Sequence, residues 1–223
     1  MLEDRARQPE AVYLPHNEPY LGRVALLQLD LEIPRALQKN LAIAKHTFEI
    51  NKSPLQTAAC ELIPQAISIA LSIRELLRQG YVFSAVILLR SMLERLALII
   101  YLCDTPSAVD SWHAGWERKT QPSFKVLMQH LDKANKYTFT EVERQKFSDR
   151  LHKVVHPDPA AAIWNTTERG GRPAFASGKL INAPETCDFC AAFTHQCLSQ
   201  LIRVALVIFP EANRSDSMQL GEW

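Results

Sequence analysis

The sequence predicts an all-α fold: an up-and-down bundle of six to seven helices with one long irregular loop over residues 157–184. Three observations carry that class. The tract from Tyr81 to Leu102 is rich in Leu, Ala and Met with no Gly or Pro inside it, which makes it a helix. Apolar residues recur at helical spacing on either side of it, at Val24, Leu27, Leu31, Leu37, Leu41, Ala44 and Phe48, and again at Phe189, Phe193, Leu198, Leu201, Ala205 and Ile208. Turn-forming residues fall between these tracts, at Asn51 to Ser53, Gly80, Thr105-Pro106 and Gln121-Pro122-Ser123, and strand-like alternation is scarce.

Taken in order, residues 1–20 hold three prolines and little periodicity, and read as an extended arm whose Tyr13 and Tyr20 are candidates for docking. Residues 21–209 form the bundle and 210–223 a polar tail. The first helix spans Leu21 to about Ile50, with Pro34 placed to kink or break it. Ser53 caps the next helix, Pro54 takes its first position, Pro64 bends it, and Gly80 stops it. After the Tyr81 to Leu102 helix, Asp104 or Thr105 caps a short helix carrying Val109, Trp112, His113 and Trp116. A helix from Phe124 to about Tyr137 follows. A further one through Val142, Phe147, Leu151 and Val155 ends near His156, because the residue before Pro157 is pushed out of the α region. Within the loop, Glu168-Arg-Gly-Gly-Arg-Pro has the composition of a hairpin tip. The last helix runs from Glu185 to Phe209.

Composition narrows the function less than the fold. With 223 residues, 47% of them hydrophobic and 22% charged, the chain is globular. A formal charge of +1 and a pI near 7.7 announce neither nucleic acid nor membrane, so any such binding must rest on a local patch. No membrane association is expected: Arg90, Glu94 and Arg95 would be costly in hydrocarbon if the Tyr81 to Leu102 helix spanned a bilayer. Five cysteines without a secretory segment at the start predict a reducing, cytoplasmic setting.

Several constellations bear on chemistry. Cys187-x-x-Cys190 with His195 and Cys197 offers zinc-ligand types, but in a helical pattern the thiols belong to the apolar seam and read better as buried core groups. His152-Lys-Val-Val-His156 places two imidazoles one turn apart, with Lys153 where a zinc protease carries Glu, and no metal or other cofactor is expected. A phosphate loop, a nucleophile elbow and a dinucleotide fingerprint are all missing from the sequence. Two features remain. On the Tyr81 to Leu102 helix the polar residues Ser84, Arg90, Ser91, Glu94 and Arg95 share one arc, and Arg90 and Glu94 stand at i and i+4, the spacing of an ion pair. At the end of a later helix comes Arg150-Leu-His-Lys-Val-Val-His156, whose cations are explained equally well by the helix dipole.

An Arg-x-x-x-Glu in an apolar central helix, then a Pro-capped helix with Trp, then a helix ending in Leu-x-x-x-Val-His-Pro, resembles the HEPN superfamily, and within it the bacterial abortive-infection and phage-defence proteins. The likeness covers roughly residues 55–208. Arg150 and His156 match the family's Arg, four to six residues, then His; Leu151 stands where many members have Asn. The resemblance implies a metal-independent endoribonuclease, a toxin or phage-defence effector, acting on RNA or a nucleotide as a homodimer or with a partner protein of the same defence system. In that dimer the Arg-His helices of two subunits line one cleft. It assigns catalysis to Arg150 and His156, supported by Glu94 and Arg90, with His152, Lys153, Arg169 and Arg172 as substrate contacts. An imidazole can exchange the protons of a ribose 2′-OH or a leaving 5′-oxygen, and a guanidinium can hold a phosphate in two places. The competing expectation is a non-catalytic helical module that binds a partner protein or small ligand between its helices.

Overall fold

The computed structural model of the chain describes residues 12–48, 50–117, 121–135, 149, 151–156, 159, 166–169, 172–175, 178–180 and 183–213. Within these the fold is a bundle of helices α1 (Val24–Phe48), α2 (Pro54–Gln79), α3 (Val82–Asp104), α4 (Ser107–His113), α5 (Phe124–Asn135), α6 (151–155) and α7 (Pro184–Ile208), with a short 3₁₀ turn at Glu211–Asn213. A two-stranded antiparallel hairpin, β1 (Thr166–Arg169) and β2 (Arg172–Phe175), forms where the Gly-Gly tip was expected, with Arg169 paired to Arg172. The helix expected through Val142, Phe147, Leu151 and Val155 is seen in its last part as α6, ending before His156, while Val142, Phe147, Arg150, the first eleven residues and the tail from 214 lie outside the described residues.

The ends of α2 follow from local chemistry. Ser53 Oγ accepts from the Gln56 N–H at 3.2 Å and Gln56 Oε1 accepts from the Ser53 N–H at 3.0 Å, a reciprocal capping box. At the other end Gly80 takes φ 81°, where a Cβ would be strained, and its N–H reaches Leu77 while that of Tyr81 reaches Leu76. Pro64, like Pro34 in α1, lies inside continuous helix, so neither proline breaks its element. At α4 the expected side-chain cap is not made. Asp104 is the last residue of α3 and accepts from His130 Nδ1 at 2.9 Å instead, and only backbone bonds from Ala108 and Val109 open the short helix.

α3 is the centre of the bundle: 11 of its 23 residues are buried, against 9 of 26 in α2 and 9 of 25 in α7, and it packs on α2, α5 and α7. α7 in turn packs on α1, α2 and α3. By length and composition α7 is also long and apolar enough to cross a membrane. Its Cys187, Cys190 and Cys197 are buried thiols, and among the described residues no three His, Cys, Asp or Glu groups are placed to hold a metal ion.

Burial pushes the Cys187 and Cys197 thiols up to about 12, and Cys190 is also raised. An unfolded thiol ionises near ~8.5. Above that pH the unfolded chain releases protons that the folded chain keeps, so this stability is full below it and is lost as pH rises toward 12. The melting temperature is therefore expected to fall from about pH 9 upward, less steeply in Cys190→Ala, and iodoacetamide should label these three cysteines only on unfolding, as peptide mass spectrometry would show.

Helical spacing does not say which face of α1 is buried, and the structure does. The apolar series whose spacing marks the helix in the sequence points to solvent: Phe48 is 89% exposed, Leu31 73% and Val24 70%, with Leu27, Leu37 and Leu41 also exposed. The buried face is a second series, Leu26, Leu29, Ile33, Ala36 and Ile43. In α7, Phe189 and Phe193 likewise lie at the edge of the core.

Residues 12–20 are docked. Tyr13 exchanges hydrogen bonds with the Gln79 side chain at 2.9 and 2.7 Å, and the buried Tyr20 donates its hydroxyl to the Leu180 carbonyl. Leu180 donates its N–H to the Gly80 carbonyl at 2.8 Å. The segment after the hairpin is thus tied to both the N-terminal stretch and the α2–α3 junction.

Candidate functional site

Because α3 is apolar around most of its circumference, its polar arc is confined to the edge facing α2 and α5, and there the candidate residues meet. Arg90 Nε–H donates to Glu94 Oε1 at 2.9 Å, the one-turn pair that the i, i+4 spacing predicts. Arg90 Nη1 lies 3.0 Å from His152 Nδ1 on α6. A guanidinium has only donors, so Nδ1 must accept, which fixes His152 as the Nε2–H tautomer while the bond holds. The Arg90 guanidinium also sits 4.9 Å from the centre of the Phe124 ring at the start of α5. Arg90 is thereby held from three elements in one orientation.

His156 follows one turn after His152, and the two rings are 4.2 Å apart at a tilt. Both imidazoles are exposed, at the point where α6 gives way to a turn. Beside them opens a cleft of about 410 Å³ lined by Gln65, Arg90, Glu94 and Arg95 on its polar side and by Leu98, Trp116 and Phe124 among its apolar walls. Arg95 is positioned by Gln65 Oε1 at 3.1 Å and by the Ser91 carbonyl at 2.9 Å. Trp116 reaches the cleft because α4 ends at His113 and Gly115, at φ 79°, turns the chain. The volume lies within the range of small-molecule sites.

The structure therefore brings together Arg90, Glu94, His152 and His156. Lys153 and Arg172 are exposed and line none of the cleft, the side chain of Arg169 lies outside the described residues, and so does Arg150. Gln65, Arg95 and Trp116 were not expected at the site. Arg95 had a signal, since it shares the polar arc with Arg90 and Glu94; Trp116 and Gln65 are brought in by tertiary packing alone.

Residues 56–162 match a family of unknown function, DUF5677. The chain is similar to that family over this stretch. No curated protein and no solved structure matches it. The matching stretch holds α2 to α6, and so every lining residue of the cleft together with His152 and His156, whereas α1, the hairpin and α7 fall outside it.

Proposed function

We propose that the chain is a metal-independent endoribonuclease of the kind the HEPN resemblance implies, with its site at the α3–α6 edge of the cleft. The single observation that carries this reading is the bridge from Glu94 through Arg90 to His152, with the His156 ring against it. An imidazole open to exchange a proton, a second imidazole held as a donor and a fixed guanidinium are groups a phosphodiester transfer uses. His156 takes the proton of the ribose 2′-OH as that oxygen attacks the adjacent phosphorus. The bond to the 5′-oxygen breaks, the imidazolium formed at His156 gives that oxygen its proton, and a 2′,3′-cyclic phosphate and a 5′-hydroxyl are left. Arg90 and Arg95 stabilise the charge that builds on the phosphoryl oxygens. His152, held by Arg90 as the Nε2–H tautomer, donates that N–H as a hydrogen bond to a phosphoryl oxygen in this scheme, while His156 carries the proton transfers.

The test is cleavage of a mixed-sequence single-stranded RNA with EDTA present throughout. His156→Ala is expected to lower the rate by ~10²–10⁴-fold, while stability changes by no more than about 0.5 kcal/mol because the ring is exposed. Full cleavage by a folded His156→Ala protein would remove the assignment. One observation favours a second reading, a non-catalytic module that binds a ligand or partner between its helices: Arg90 already spends donors on Glu94 and His152, as a structural network does. Wild-type protein that binds RNA or a nucleotide without cleaving it would move the assignment there.

A further inference from the structure

Helix α1 is apolar on two opposite faces, and only one of them is covered. The covered face packs on α7 and α2. On the other, positions 24, 27, 31, 34, 38, 41, 45 and 48 are Val, Leu, Leu, Pro, Gln, Leu, Lys and Phe, spaced alternately three and four residues apart and all but the Pro, Gln and Lys large exposed hydrophobics. That alternation is the seam of a two-stranded coiled coil. We infer that α1 is the interface of a homodimer, with the α1 helices of two copies of this chain packed antiparallel along this stripe.

Three features commit the stripe to a second copy. It is self-complementary: in an antiparallel pair centred on position 36, Val24 falls opposite Phe48 of the second copy, Leu31 opposite its Leu41, Pro34 opposite its Gln38, and Leu27 against the aliphatic stem of its Lys45. Its charges are segregated. Residues 24–34 carry no cation, and their Asp30 and Glu32 are held within the chain by Arg74 and by Arg35 and Ser199, whereas residues 35–48 carry Arg35, Lys39, Lys45 and His46 and no acid. Antiparallel packing sets each cationic half against the half without cations, whereas a parallel pair would superpose them. The area also fits. The exposed side chains of Val24, Leu27, Leu31, Leu37, Leu41 and Phe48 present on the order of 600 Å² of apolar surface, at the top of what a monomer leaves uncovered and close to one partner's share of a stable interface.

The pair has a consequence for the site. α1 lines none of the cleft, which belongs to α2, α3, α5 and the Trp116 segment. The resemblance implies that Arg-His helices of two subunits share one cleft; joining through α1 instead keeps His152 and His156 out of the seam, so each copy carries a site of its own. This inference does not rest on the nuclease reading.

Light scattering coupled to size exclusion decides it. Wild-type protein at 20 to 50 µM, about the range in which such interfaces hold, is expected at twice the chain mass. The variant L31E/L41E should run at the chain mass with unchanged helical circular dichroism, since both side chains are exposed in the single chain. Leu31→Cys protein mixed with Leu41→Cys protein should cross-link on mild oxidation, and Leu31→Cys alone should not, because two copies of position 31 lie about 15 Å apart along an antiparallel pair. A monomeric wild type would overturn the inference. So would a dimer that survives L31E/L41E, or a stripe that brings the protein to lipid vesicles instead of to a second copy.

Discussion

Replacing Arg74 by Ala is expected to cost ~3–5 kcal/mol of unfolding free energy, the largest stability effect of any single polar substitution among the described residues. Arg74 sits on α2 with its side chain 15% exposed, and it grips two carboxylates at once. Nη1 and Nη2 each donate at 2.8 Å to the two oxygens of Glu18, which is 3% exposed, while Nε and Nη2 reach the two oxygens of Asp30 on α1. Burial opposes the Arg74 charge, but the hydrogen bonds to Asp30 and Glu18 outweigh it and raise the guanidinium above its ordinary range. Removing the guanidinium leaves the Glu18 carboxylate buried without its cation, and that uncompensated charge sets the cost. Lys should not rescue it, because an ammonium is a single point charge and lacks the fork of five donors that serves two carboxylates at once.

Urea unfolding of Arg74→Ala, Glu18→Leu and the double variant Arg74→Met/Glu18→Leu separates the pair's contribution from its surroundings. The double variant should recover much of the loss, since a neutral pair of similar volume has no charge to desolvate, and Asp30, 39% exposed, can turn to water. A loss below about 1 kcal/mol in Arg74→Ala would mean that Glu18 finds water in the folded protein. Because Glu18 precedes α1 and Asp30 lies in it, the expected unfolding is local first: residues 12–20 and α1 should lose hydrogen-exchange protection before α3 does.

Which parts of this fold were legible follows from how local each determinant is. The ends of α2 could be read because Ser53, Pro54, Gln56 and Gly80 act on backbone groups within a few residues. The Arg90–Glu94 pair was legible for the same reason, one helical turn. The orientation of α1 was not. Its two apolar series have the same period, so hydrophobic spacing picks out a helix but cannot say whether Leu31 or Leu29 faces the core; that is decided by α7 and α2. The site shows the same division. Arg90 to His152 spans 62 residues and Arg74 to Glu18 spans 56, and no spacing rule connects residues so far apart. The zinc-like spacing of Cys187, Cys190 and Cys197 also resolved by packing, since a helix that buries one stripe buries thiols along with leucines.

After His156, Arg90 carries the largest expected effect on activity. If the proposed chemistry is right, Arg90→Ala should lower RNA cleavage by ~10²–10³-fold, the usual cost of removing one fixed charge-stabilising donor. Two losses combine: the phosphate loses a cation, and His152 loses the bond that fixes its tautomer. Stability should change little, about 1 kcal/mol or less, because Glu94 is 38% exposed and can be hydrated. Arg90→Lys is the sharper variant. A lysine keeps the charge but cannot direct one N–H to Glu94 and another to His152 Nδ1 from a rigid fork, so it should remain close to the alanine level. Nitrogen-15 spectra of the His152 ring report the same bond without reference to activity. Wild type should show Nδ1 as the acceptor and Nε2 as the protonated nitrogen, and Arg90→Lys should show exchange between tautomers. Wild-type cleavage rates in Arg90→Lys, with the His152 tautomer lost, would mean that the bridge orders α6 against α3 but takes no part in the chemistry.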